Sequence, residues 1–123
     1  MIAYRRGDIV LVAFLFADES GLKHRPALVL SSHAYHQNRQ EVIVAAVTSN
    51  VGRVRFGDHV LAGWEKSGLL FPSLVTGILR TIKGEMIHRR LGSVPTREMA
   101  AIDENLTKIL DLRTIPRRYR GVK

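Results

Sequence analysis

The sequence predicts a mainly β domain with a C-terminal helix, folded as a small antiparallel barrel. Three observations lead there. Apolar stretches of strand length, rich in β-branched and aromatic residues, recur along the chain up to Ile82. No helical period separates them, which argues against the crossover helices that a parallel sheet needs. From Thr96 onward the apolar spacing changes to three and four residues, the period of an amphipathic helix.

Each element follows from local residues. Ile9 to Phe16 is an unbroken apolar run after Gly7-Asp8 and reads as a buried strand. Ala17 to Pro26 is polar, contains Gly21 and reads as a long loop, a place where small domains often carry function. Ala27 to Ser32 is the second strand, and His33 to Gln40 is polar and irregular. Val42 to Thr48 is apolar on both faces, as in a central strand or a barrel wall. Ser49-Asn50-Val51-Gly52 signals a turn, and a fourth strand lies around His59-Val60-Leu61. Gly68 to Ser73 is a loop, because Pro72 cannot donate to a ladder. Leu74 to Ile82 is the fifth strand, with Gly77 marking a bulge or a close backbone approach. Met86 to Leu91 is a short turn or strand. Met99, Ile102, Leu106, Ile109 and Leu110 then line one face of a helix that runs from Thr96 to about Leu112, opened by Pro95 and stopped by Pro116. Barrel closure is the expected way to remove free sheet edges.

Composition narrows the class. At 123 residues one domain is expected, residues 1–112, followed by a basic tail, residues 113–123. Of the 19 Lys and Arg, five lie in that tail with no acid among them, so most of the net charge of +8 resides there. A basic excess favours polyanions, chiefly nucleic acid, although a solubilising tail explains the same numbers. No apolar run approaches the length of a membrane span, and the N-terminus lacks a signal-peptide pattern. The chain has no cysteine, which excludes disulfides, thiolate metal sites and thiol nucleophiles, and a cytoplasmic location is the expectation.

Several chemistries drop out. His33 and His36 have no third ligand nearby in sequence, and His24, His59 and His88 are scattered, so solvated loop histidines are expected and no metal is assigned. Phosphate-binding loops, nucleophile elbows and zinc-helix motifs are missing. Glu98, Asp103, Glu104 and Asp111 read as a solvated helix face, which excludes a paired-carboxylate hydrolase. Three sites remain. Lys23-His24-Arg25-Pro26 leads into the second strand, and Pro26 restricts Arg25 to extended geometry. Thr48-Ser49-Asn50 ends a strand buried on both faces. Pro72-Ser73 is the third. A solvated charge cluster and a turn cap are the plain readings of the first two. Together they suit RNA cleavage by the substrate's own 2′-hydroxyl, which needs a proton acceptor, a fixed cation for the phosphorane charge and a donor to the leaving 5′ oxygen. Arginine fits the cationic role, since its planar fork matches phosphate oxygens and stays protonated. A threonine hydroxyl can position or relay a proton beside it.

These residues also resemble a known family. Gly7-Asp8-Ile9, Lys23-His24-Arg25-Pro26-Ala27-Leu28-Val29, Thr48-Ser49, Gly68-Leu69 with Pro72-Ser73, Arg80-Thr81-Ile82 and Leu91-Gly92 match, in order and spacing, the MazF/PemK/Kid toxins of type II toxin–antitoxin systems. The resemblance spans residues 5 to 112. It implies a small Src-homology-3-like barrel of the CcdB/PemK type, usually a homodimer. It further implies a metal-independent, sequence-specific endoribonuclease that needs no cofactor and leaves a 2′,3′-cyclic phosphate and a 5′-hydroxyl on single-stranded RNA. A cognate antitoxin protein would block the RNA groove. By the same resemblance Arg25 and Thr48 are the catalytic positions: Arg25 stabilises the phosphate and assists proton transfer, and Thr48 orients or deprotonates the 2′-hydroxyl. Lys23, His24, Ser49, Asn50 and Ser73 are the RNA-binding positions. The chain departs from the pattern at Gly77-Ile78-Leu79, where several members carry acidic or amide side chains. That departure keeps two alternatives in view: a weakened RNA-binding relative, and a CcdB-like module that inhibits DNA gyrase without cutting RNA. The tail, residues 113–123, is expected to be an auxiliary RNA or antitoxin contact.

Overall fold

The computed structural model describes residues 2–16 and 21–112. In chain order it holds β1 (Asp8–Phe16), β2 (Gly21–Val29), α1 (His33–Asn38), β3 (Glu41–Thr48), β4 (His59–Val60), β5 (Leu74–Lys83), a single 3-10 turn at Gly84–Met86, β6 (Ile87–Ser93) and α2 (Thr96–Leu110). All the recorded strand pairs are antiparallel, in one sheet ordered β4-β5-β3-β2-β1-β6. The runs that are apolar throughout, β1 and β3, are interior strands with a partner on each side. Their alternate residues feed two cores. Val42 and Val44 of β3 join Val10, Val12, Ala27 and Val29, whereas Ala45 and Val47 join Ile9, Leu28, Val75 and Ile102 of α2.

The fold is barrel-like, but strand pairing does not close it. The gap between the two ends of the sheet is spanned by the connection from Leu61 to Ser73. Leu61 and Leu69 sink into the same core as α2, and the Leu61 amide donates to the Ser73 carbonyl at 3.0 Å. Closure comes at two facing glycines. A Cβ on Gly68 would collide with the Leu91 carbonyl, and one on Gly92 would come within 2.8 Å of the Gly68 amide nitrogen. Gly68 also holds φ at +86°, a conformation that side chains other than glycine's rarely adopt. A second tie is made by Asp8, whose buried carboxylate accepts from the Arg5 amide, Arg90 Nε and Ser93 Oγ at 2.9–3.1 Å, fixing the N-terminal turn to β6.

The structure corrects four sequence expectations. The second strand begins at Gly21, so Lys23 to Pro26 belong to β2 and not to the loop expected over Ala17–Pro26. Its polar half was illegible because pairing with β3 covers only Ala27 to Val29, so among the described residues those before Ala27 pair with β1 alone and need no second apolar face. Pro26 sits just outside that ladder, where a missing N–H is tolerated. His33–Asn38 is a helix, not an irregular stretch, capped by Ser32 Oγ, which accepts from the Tyr35 amide at 3.1 Å. His36 is buried in it, with Nε2 2.6 Å from Ser31 Oγ, rather than solvated. Glu98 is likewise buried, not on a solvated helix face. It accepts from the Ala62 and Gly63 amides at 2.7 and 2.8 Å and pairs with His59 at 2.9 Å, buckling α2 onto the connection after β4. Burial pushes the Glu98 carboxyl up, but the His59 hydrogen bond and the two amides outweigh it and hold the group below its ordinary value. The bulge expected at Gly77 is present: the β3–β5 register shifts between Ala45 and Val47, and Gly77 lies against the Phe56 carbonyl. The basic tail falls outside the described residues.

Candidate nucleic-acid interface

One groove of about 900 Å³ gathers most of the sites singled out in the sequence. Its walls come from β2 (His24, Arg25, Pro26), the end of β3 (Thr48, Ser49) and the connection before β5 (Leu70, Phe71, Ser73). β6 adds Arg89 and Leu91. Among the described residues no acidic side chain lines it. Two guanidinium-bearing residues, Arg25 and Arg89, thus share one groove, an environment suited to a phosphate diester.

Arg25 is exposed and follows from strand geometry. Pro26 fixes it in extended backbone opposite Val12 of β1, and its Nη1 lies 3.5 Å from the His24 carbonyl. Thr48 is half-buried as the last residue of β3, and its Oγ1 accepts from the Asn50 amide at 3.1 Å. The turn-capping role and the candidate chemical role thus fall on one hydroxyl. Ser73 is buried and donates to the Phe71 carbonyl at 2.8 Å, so it shapes the groove wall more than it offers a free hydroxyl to a ligand. Lys23 is not among the lining residues. Asn50 lines a second, smaller groove of about 330 Å³, which Thr48 shares.

Sequence reasoning missed Arg89, Leu70 and Phe71. β6 carries two register shifts against β1: Ile9 and Val10 face Gly92 and Arg90, and Leu11 and Val12 face Arg89 and Ile87. Leu91 and His88 are left over as bulged residues, and bulges re-aim side chains next to functional sites. The His88 ring meets that of His24 edge-on, 5.2 Å between centroids. They meet across the intervening strand, where the residue opposite His24 is the small Ala13. Two of the histidines that looked scattered in sequence are thus brought together, His24 lining the groove and His88 against it. A bulge in a strand of Ile-His-Arg-Arg-Leu-Gly-Ser has no spacing signature that a single sequence shows. Among the described residues no group of three or more His, Cys, Asp or Glu is placed to hold a metal.

Comparison with known proteins agrees with this geometry. Residues 5–110 match the family of PemK-like, MazF-like toxins of type II toxin–antitoxin systems. A relative described as endoribonuclease MazF6 from Mycobacterium tuberculosis is 33% identical over 93 residues, 73% of this chain and 81% of that protein. Among solved structures, the MazE–MazF complex (form II) from Deinococcus radiodurans superposes with a TM-score of 0.75 at 21% identity, covering 89% of this chain and 97% of that one. A mycobacterial endoribonuclease in complex with its cognate antitoxin gives 0.72 at 19% identity, over 92% and 100% of the two chains. At those identities the structural likeness bears on the fold.

Proposed function

The chain belongs to the family of PemK-like, MazF-like toxins of type II toxin–antitoxin systems, and on that premise we propose that it is an endoribonuclease toxin whose wide groove cuts single-stranded RNA. The observation that carries this reading is that Arg25 and Thr48, on different strands, line the same groove. In the proposed reaction the substrate's 2′ oxygen attacks the adjacent phosphorus. The P–O2′ bond forms, the P–O5′ bond breaks, the 2′ proton is removed and O5′ takes one up. Arg25 holds the non-bridging oxygens as charge builds on them and assists the proton transfers, while Thr48 orients the 2′-hydroxyl. The products are a 2′,3′-cyclic phosphate and a 5′-hydroxyl. His24 and Ser49 line the same path, and Arg89 joins them. The toxin acts on cytoplasmic mRNA as a homodimer and is held inactive by a cognate antitoxin, as the complexes of its structural neighbours suggest.

The experiment is incubation of the purified protein with a long single-stranded RNA, with and without EDTA, followed by mapping of both ends at each cut. Discrete cuts with 2′,3′-cyclic phosphate and 5′-hydroxyl ends, unaffected by EDTA, are expected. Intact RNA would favour a binding module instead, and cutting that stops with EDTA would overturn the proposed mechanism.

A further inference from the structure

Two exposed phenylalanines line the two grooves that share Thr48, each on a pinned turn and each with arginines in the same groove. Phe71 is 63% exposed, with Leu70 beside it at 83%. Burying such side chains is strongly stabilising, so displaying both forgoes a large gain. The display is not slack. Leu69 and Leu74 are buried on either side, the Leu69 amide donates to the Trp64 carbonyl at 3.1 Å, and Ser73 Oγ holds the Phe71 carbonyl. Phe56 is 76% exposed and lines the smaller groove with Arg53 and Arg55. Its turn is equally fixed. The Asp58 carboxylate accepts from the Arg55 and Gly77 amides at 2.8 and 3.1 Å, and Asn105 Nδ2 of α2 donates to the Gly57 carbonyl at 3.3 Å.

Thr48 lines both grooves, so the two meet at the residue proposed to face the scissile linkage. We propose that they form one track for single-stranded RNA, in which Phe71 stacks the base on one side of the cut and Phe56 the base on the other. The chemistry favours this occupant. Arg25 and Arg89 line the larger groove with Phe71, and Arg53 and Arg55 line the smaller one with Phe56, so cations accompany each ring, and a base stacks on such a ring with a strength that depends on which base it is. A purely apolar protein partner would offer these arginines no anion, whereas an RNA backbone does. Rigid turns let the rings bind without an ordering cost. The inference rests on the RNA-cleaving reading of the larger groove and adds the residues that set sequence preference.

The test uses the full chain, its Phe71→Ala and Phe56→Ala variants, and the conservative Phe71→Trp and Phe56→Trp variants. Two readouts are needed: affinity for a short RNA carrying 2′-deoxyribose at the cleavage position, so that it binds without being cut, and mapped cleavage sites on long RNA. Each alanine variant is expected to weaken binding by about five- to a hundredfold, and tryptophan to restore it. Phe71→Ala should relax base preference on one side of the cut and Phe56→Ala on the other. Unchanged affinity in both variants, or relaxation on the same side in both, overturns the track. So does altered self-association with unchanged RNA affinity, which would assign the rings to a protein contact. Wild-type protein that binds the RNA in this aromatic-dependent way but never cuts would leave the track standing and remove the nuclease.

Discussion

Strand β2 is two different structures in one element. From Ala27 to Val29 it is hydrogen-bonded on both sides, and all three side chains are fully buried. From Gly21 to Pro26 it pairs with β1 alone among the described residues, and His24 and Arg25 are exposed. β3 repeats the contrast over a shorter distance, with Val42, Val44, Ala45 and Val47 packed into the cores and Thr48 lining the groove. In both strands the candidate chemistry begins where packing stops. The buried half supplies a rigid base, and the adjoining residues, held by the same backbone, can face a ligand without a mobile loop. That arrangement suits a site that must hold a guanidinium and a hydroxyl in fixed relation to one phosphate.

The contrast can be broken from the buried side first. Leu28→Ala empties a fully buried position in the core shared with α2 and should cost about 2–5 kcal/mol of stability in denaturant melts. A loss well below 1 kcal/mol would show that this half of β2 is not the rigid base. Glu98→Gln comes next. An amide can accept from only one of the two backbone N–H groups that Glu98 satisfies, so about 1–3 kcal/mol should be lost. The same carboxylate sets an acid limit. Its folded value lies below the ordinary 4.5, so its stabilisation is complete above that value and fades as pH falls through the folded one. Urea melts from pH 6 to pH 3 should show this decline in the wild type and a shallower one in Glu98→Gln. Smallest is Glu41→Gln. Glu41 bridges Arg39 and Lys83 at 2.9 and 3.2 Å, and those hydrogen bonds hold its carboxyl at about 2. The bridge lies at the solvent-exposed edge of the β3–β5 ladder, where screening leaves little net gain, so the melting temperature at pH 7 should barely move.

What the sequence made legible follows the same division. β1 and β3 announce themselves because burial on both faces writes an unbroken apolar run, and α2 because its packed face recurs every three to four residues. Arg25 and Thr48 were legible because a proline and a strand end mark them, and both line the groove. The polar half of β2 was not, since a strand paired on one side carries no alternation to read. Helix α1 was missed because six residues hold less than two turns of pattern. Glu98 was read as solvated because its partners, the Ala62 and Gly63 amides, lie 36 and 35 residues away and are backbone groups that no side-chain pattern reports. Arg89 and Phe71 enter the groove through a bulge and a closing loop, features decided by the three-dimensional path of the chain.

The central claim is that Arg25 acts on the phosphate and does not serve the fold. It is tested most directly by the cleavage rate of Arg25→Ala on a single end-labelled RNA, measured beside its melting temperature. The account predicts a rate about a hundredfold lower with the melting temperature unchanged. Cleavage at the wild-type rate would contradict it.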